Sequence, residues 1–205
     1  MKNKINSIFK MKRIHQISGL LLVFILFTSC NYLQPNKEEN LSLEKDFKTV
    51  KIKGKYQMSI PNYMKQTNQL NDEASLQYNN LFKETYVIVI DESKEQFVSA
   101  INEAGINEFS QSTIESYRDI QMQLLRENIN ISNEKISEKK TFNGMNSEQV
   151  AFVGKISGVD DEISYILTFI EGENDLYMIM GWTLNKYSKK YTNTFLQIAD
   201  SFKEL

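Results

Sequence analysis

The sequence has little of what most catalytic sites are built from. Its 205 residues hold one cysteine, one histidine, one tryptophan and two prolines. A lone cysteine has no partner within the chain, so an intrachain disulfide is excluded. No GxGxxG follows a strand pattern and no GxxxxGK[ST] is present. The nearest glycine pair, Gly154 and Gly158, has neither the spacing nor the context of a phosphate loop. Nor is there a long apolar run: Ile17 to Phe27 falls short of the roughly 18 residues a membrane-spanning helix needs.

That short run ends at Cys30, after the small residues Thr28 and Ser29. Ahead of it stand Lys2, Lys4, Lys10, Lys12 and Arg13 with no acidic residue among them. A basic start, a short apolar middle and small residues at a cut site are the parts of a secretory signal. Leu26-Phe27-Thr28-Ser29-Cys30 resembles a bacterial lipobox, with Phe27 departing from the usual leucine. The resemblance implies cleavage before Cys30, a diacylglyceryl group on its thiol, and a membrane surface as its partner. Two acyl chains hold a protein stably where one does not. Asn31, rather than the aspartate that retains lipoproteins at the inner membrane, follows the cysteine, which on that resemblance favours the outer membrane, facing the periplasm, in a cell that has two membranes. Lys37-Glu38-Glu39 is similar to a signal for export to the cell surface. The plainer alternative, a charged and solvated linker, is preferred.

Cleavage also removes His15. The mature chain would then have no histidine and no free thiol, which excludes Ser-His-Asp and Cys-His catalysis, HExxH chemistry and zinc held by Cys or His. Losing the five leader cations from 24 leaves 19 against 26 acidic residues, a formal charge of −7. Such a chain is a poor ligand for nucleic acid, and no nucleic-acid partner is expected. No cofactor and no metal is expected either.

Three segments follow: a leader over 1–29, a flexible tether over 30–46, and one domain over 47–205. Alternation predicts strands at Phe47–Ile52 and Tyr56–Pro61 about Gly54, a short one at Ala74–Tyr78, and a central strand at Tyr86–Ile90, apolar on both faces. Helices are predicted behind Ser93 with Gln96, closed by Gly105, and behind Ser112 with Glu115. Strands at Glu148–Ile156, Glu162–Ile170 and Leu176–Leu184 come next. A helical stripe of Tyr191, Phe195, Ile198 and Phe202 closes the chain. The expected fold class is α+β, an antiparallel sheet with helices packed on both faces.

Tyr56-x-Met58-Ser59-Ile60-Pro61, the strand Tyr86 to Asp91, the late meander and Ile198-Ala199-Asp200-Ser201-Phe202 together resemble the PsbP-like fold, an α/β/α sandwich, over about Phe47 to Leu205. Leu70 to Asn80 is also similar to a group of small bacterial lipoproteins of unknown function. Characterised members of that fold act mostly by binding, among them an extrinsic photosystem II subunit, a Ran-GTPase-binding protein and an envelope lipoprotein linked to phage uptake. The resemblance therefore implies a binding or accessory module with an envelope protein as partner.

Candidate sites are few. Asp72, Glu73, Asn79 and Asn80 form a polar stretch before the central strand and are the first choice for a binding loop. Asp91-Glu92 is either an acid–base pair or a favourable charge at a helix start, and the second is preferred. Asp160, Asp161 and Glu162, and likewise Glu171, Glu173 and Asp175, offer oxygen ligands, but turns use the same residues. Trp182 with Met178 and Met180 reads as core rather than pocket lining. Two other functions stay open: a carrier with an apolar cavity of about 300 Å³ or more between sheet and helices, and a hydrolase using carboxylates alone.

Overall fold

The structure, a computed structural model, describes residues 37–104, 112–142 and 144–205. The expected leader, Cys30 and Gly105 lie outside the described residues. Phe47–Ile52 (β1) and Tyr56–Pro61 (β2) pair in the register Phe47↔Pro61 to Ile52↔Tyr56. Gly54 turns the hairpin at φ +73°, a value side chains resist. Tyr56, Met58 and Ile60 are buried on one face, as their spacing predicts. This hairpin does not join the large sheet. It pairs instead with the chain's end, Lys203–Glu204, to form a separate three-stranded sheet.

The large sheet contains Lys65–Gln66 (β3), Leu76–Asn80 (β4), Thr85–Ser93 (β5), Asn130–Phe142 (β6), Met145–Lys155 (β7), Ile163–Glu171 (β8) and Asp175–Leu184 (β9). With Lys203–Glu204 as β10, the order of the seven is β3-β4-β5-β9-β8-β7-β6, antiparallel throughout. β5 is an interior strand, next to the middle strand β9, as its two apolar faces require, and pairs with β9 from Thr85↔Thr183 to Ser93↔Asp175. The short strand expected at Ala74–Tyr78 lies two residues later.

Helices cover both faces. Lys94–Glu103 (α2) and Thr113–Arg126 (α3) lie over one face, where Phe97, Tyr117 and Leu125 meet Val150, Phe169 and Met178. Both starts use the predicted caps: Ser93 Oγ accepts from Gln96 N at 3.3 Å, and Glu115 accepts from Ser112 N at 2.9 Å. On the opposite face, Ser188–Asp200 (α4) packs beside the small sheet, joining Phe195, Ile198 and Phe202 to Tyr56, Val89 and Ile179. Gly181 lets α4 lie close to β9, because a Cβ there would stand 2.6 Å from the Phe195 ring. Burial of apolar surface on both sheet faces is the main stabilising contribution.

Candidate functional site

The four residues of the expected binding loop are not brought together. Asp72 and Glu73 are exposed on the loop before β4, while Asn79 and Asn80 sit at that strand's far end. The loop is shaped from below by buried Gln77. Its Oε1 accepts from Leu70 N at 2.9 Å and Asn71 N at 3.1 Å, and its Nε2 donates to Asn71 O at 2.5 Å. Asn79 lies in register with Lys65 and Tyr86. Asn80 works on the backbone: Nδ2 donates to Tyr63 O at 2.8 Å and Oδ1 accepts from Lys83 N at 2.9 Å.

Glu171 and Glu173 line one open depression together with Glu95, but the Asp91-Glu92 pair separates. Asp91 and Glu92 are successive on β5 and therefore face opposite sides of the sheet. Asp91 pairs with Lys55 beside the small sheet, and Glu92 Oε1 accepts from Gln121 Nε2 of α3 at 2.9 Å. The sheet itself divides them, so they do not act on one substrate atom. Asp161 is exposed and 3.4 Å from Lys186 Nζ. Among the described residues no three Asp, Glu, His or Cys side chains converge on a metal position. Trp182 stacks on Tyr86 with centroids 5.2 Å apart, in the packed layer.

Sequence reasoning missed Glu39. Its side chain is 9% exposed and engages three others. Oε1 takes the Lys83 ammonium at 2.7 Å. Oε2 accepts from the Tyr63 hydroxyl at 2.9 Å and from Thr194 Oγ1 of α4 at 3.0 Å. The backbone adds Glu39 N to Lys190 O at 2.9 Å. Lys83 Nζ also lies 4.3 Å from the Tyr63 ring centroid and 5.8 Å from that of Tyr191. A cation over aromatic faces and against a carboxylate is held from several sides. Burial, with the Glu39 charge behind it, pushes the Tyr63 hydroxyl far above its ordinary pKa. The same causes lift Tyr191 to about 12.

The segment expected to be tether as far as Asp46 thus takes part in the domain from Glu39 onward. Leu41 packs against the core, and Gln197 Nε2 donates to Leu41 O at 3.4 Å. Leu43–Asp46 forms a single helical turn (α1) leading into β1. The cluster is closed on itself, with both Glu39 oxygens engaged by its own members. What it does chemically is fasten chain to domain.

Two comparisons by sequence, with family models and with curated proteins, found no match. Among solved structures, cyanobacterial PsbP (CyanoP) from Synechocystis sp. PCC 6803 superposes with a TM-score of 0.52 at 11% identity, covering 78% of this chain and 93% of that one. The chain has a PsbP-like fold. A Pseudomonas aeruginosa protein of unknown function aligns over 76% of this chain and 94% of its own, at 8% identity and a TM-score of 0.42. The PsbP-like sheet, with α2 and α3 on one face and α4 on the other, is the frame that brings Tyr63, Lys83 and Thr194 to Glu39.

Proposed function

We propose that the chain is a lipid-anchored envelope protein whose PsbP-like domain acts as a binding or accessory module through protein contacts, without catalysis of its own. The observation that carries this reading is the Glu39 fastening, nine residues beyond Cys30. However those nine residues run, they span at most about 30 Å. A domain gripping its own leader-proximal chain this early is held at short range from whatever Cys30 is attached to, with a constrained face toward it. Such positioning suits an accessory subunit meeting a partner at the same surface.

The alternatives draw less support. Two depressions, of about 650 Å³ beside Arg126–Glu134 and about 420 Å³ beside Ser93–Val98, are open to solvent and lined mostly by polar residues. Neither resembles the apolar chamber a lipid carrier needs. The hydrolase reading needs two carboxylates in one cleft: Asp91 and Glu92 lie on opposite faces, and Glu171 and Glu173 share only the second, open depression, where Glu171 is 3.6 Å from Lys94 Nζ.

In-cell crosslinking with mass spectrometry tests the proposal by comparing wild type with Cys30→Ser. One abundant envelope partner, captured in wild type and lost in the variant, is the expected result. Wild-type protein that is lipidated yet crosslinks to nothing would contradict the accessory role.

A further inference from the structure

The turn joining β4 to β5 carries Leu81, 64% exposed, and Phe82, fully exposed. Single exposed apolar residues are ordinary on a protein surface. Here two are adjacent, at the convex tip of a hairpin. That tip is also held firmly. Asn80↔Thr85 closes the ladder, Asn80 Oδ1 accepts from Lys83 N at 2.9 Å, and Lys83 Nζ is locked to Glu39 at 2.7 Å. The residue after Phe82 is therefore the residue that grips the chain coming from Cys30.

We propose that Leu81 and Phe82 form a membrane-insertion tip, seated in the same bilayer that holds the lipid on Cys30. This inference rests on the anchored reading above and adds the face with which the domain meets the membrane. Three observations favour a bilayer as the occupant. The point at which the anchored segment enters the domain is next to the tip, and only eight residues separate Glu39 from Cys30. The tip projects, as a wedge entering a soft medium does, rather than forming a groove that receives a partner's side chain. Charge is the third. Lys65, Lys83 and Lys190 stand around the tip against Glu38, Glu39 and Glu84, a near-neutral neighbourhood on a mature chain that is formally −7. Repulsion from anionic headgroups is small there. A Phe-Leu pair is too small to hold a soluble protein on a membrane. Beside an anchor its insertion becomes an intramolecular event and fixes orientation.

The test uses full-length lipidated protein in phosphatidylethanolamine–phosphatidylglycerol vesicles. Lipid caps the Cys30 thiol, so a Phe82→Cys variant offers one thiol for an environment-sensitive nitrobenzoxadiazole dye. Ile136→Cys on β6, 53% exposed at the opposite edge of the sheet, is the control. Circular dichroism confirms that both variants fold, and intact mass confirms the lipid. The expected result is a several-fold rise and a blue shift of emission at position 82, quenched by doxyl-labelled acyl chains, with position 136 remaining aqueous. If the protein floats with vesicles while position 82 stays aqueous, the insertion tip is overturned and the anchor stands. If position 82 is shielded but doxyl lipids do not quench it, self-association has buried it, and the tip is again overturned. An unmodified Cys30 and no flotation would remove the anchored reading, and the tip with it.

Discussion

Thr194 Oγ1 donates to Glu39 Oε2 at 3.0 Å across 155 positions of chain, so the last helix holds the start of the domain. Tyr63 and Lys83 bind the same carboxylate from two further elements. Removing Glu39 should therefore loosen the segment up to Asp46 as well as the helix. Glu39→Ala leaves an ammonium and two hydroxyls without their shared partner, at a cost of about 2 kcal/mol. Glu39→Gln keeps acceptors for Tyr63 and Thr194 and should cost roughly half of that. Denaturant midpoints give the ranking, and limited proteolysis should cut Glu39→Ala first within 37–46. Equal stability of the three proteins would mean that the cluster fastens nothing.

Arg118 and Glu148 join α3 to β7, with Nη1 to Oε2 at 2.9 Å and the Glu148 side chain only 2% exposed. Arg118→Met strands a buried carboxylate and should cost about 3 kcal/mol. Adding Glu148→Leu should restore much of the loss, since an apolar pair of similar volume avoids the desolvation penalty. Thermal or urea unfolding of the two singles and the double closes the cycle. Additive losses would show that the two side chains do not interact.

Gly181 allows α4 to approach β9, and the Phe195 ring occupies the space a side chain would need. Gly181→Ala should destabilise by about 1–3 kcal/mol through overpacking. Phe195→Leu in the same chain should recover part of that loss, although Phe195→Leu alone costs stability. A double mutant no better than the sum of its parts would place the strain elsewhere.

Raised tyrosine pKa values set the alkaline limit. Burial lifts Tyr56, Tyr63, Tyr165 and Tyr177 above the ordinary value of 10, and brings Tyr191 to about 12. A folded-state pKa above the unfolded one contributes stability that is complete below pH 10 and is lost as pH rises through the folded value. For Tyr191 that window is pH 10 to about 12. Lys55, raised chiefly by its hydrogen bond to Asp91, acts in the same direction above its ordinary 10.5. Chemical denaturation midpoints should hold steady up to about pH 9.5 and fall above pH 10. Absorbance at 295 nm should show these phenols ionising together with unfolding rather than before it. Free titration near pH 10 in a folded protein would contradict the burial.

Local periodicity and capping carried most of the fold. Alternation at Tyr56, Met58 and Ile60 marked β2, and two apolar faces marked Tyr86–Ile90 as an interior strand. Ser112 and Glu115 marked the start of α3. β6 escaped because an edge strand need not alternate. It is interrupted by charges, among them Glu134 and Lys135, and its register shifts between Ser132 and Lys135 and again before Lys140. Such features keep an edge from pairing with another chain. The β1–β2 hairpin was legible, but its separation from the large sheet depends on pairing with Lys203–Glu204 at the far end of the sequence. Glu39 was invisible for a similar reason. In Lys37-Glu38-Glu39 it reads as a solvated charge, and its partners lie 24, 44 and 155 positions away. Asp72 and Glu73 stand apart from Asn79 and Asn80 because β4 runs between them, a separation that the polar pattern alone does not show.

The central claim is that Cys30 is an anchor and Glu39 the point where the domain takes hold of the anchored chain. The most direct measurement is the intact mass of the protein extracted from cell membranes, with fragmentation of its N-terminal peptide. The predicted result is a chain that begins at Cys30 and carries a diacylglyceryl thioether. A chain that still begins at Met1, or a Cys30 with a free thiol, would contradict it.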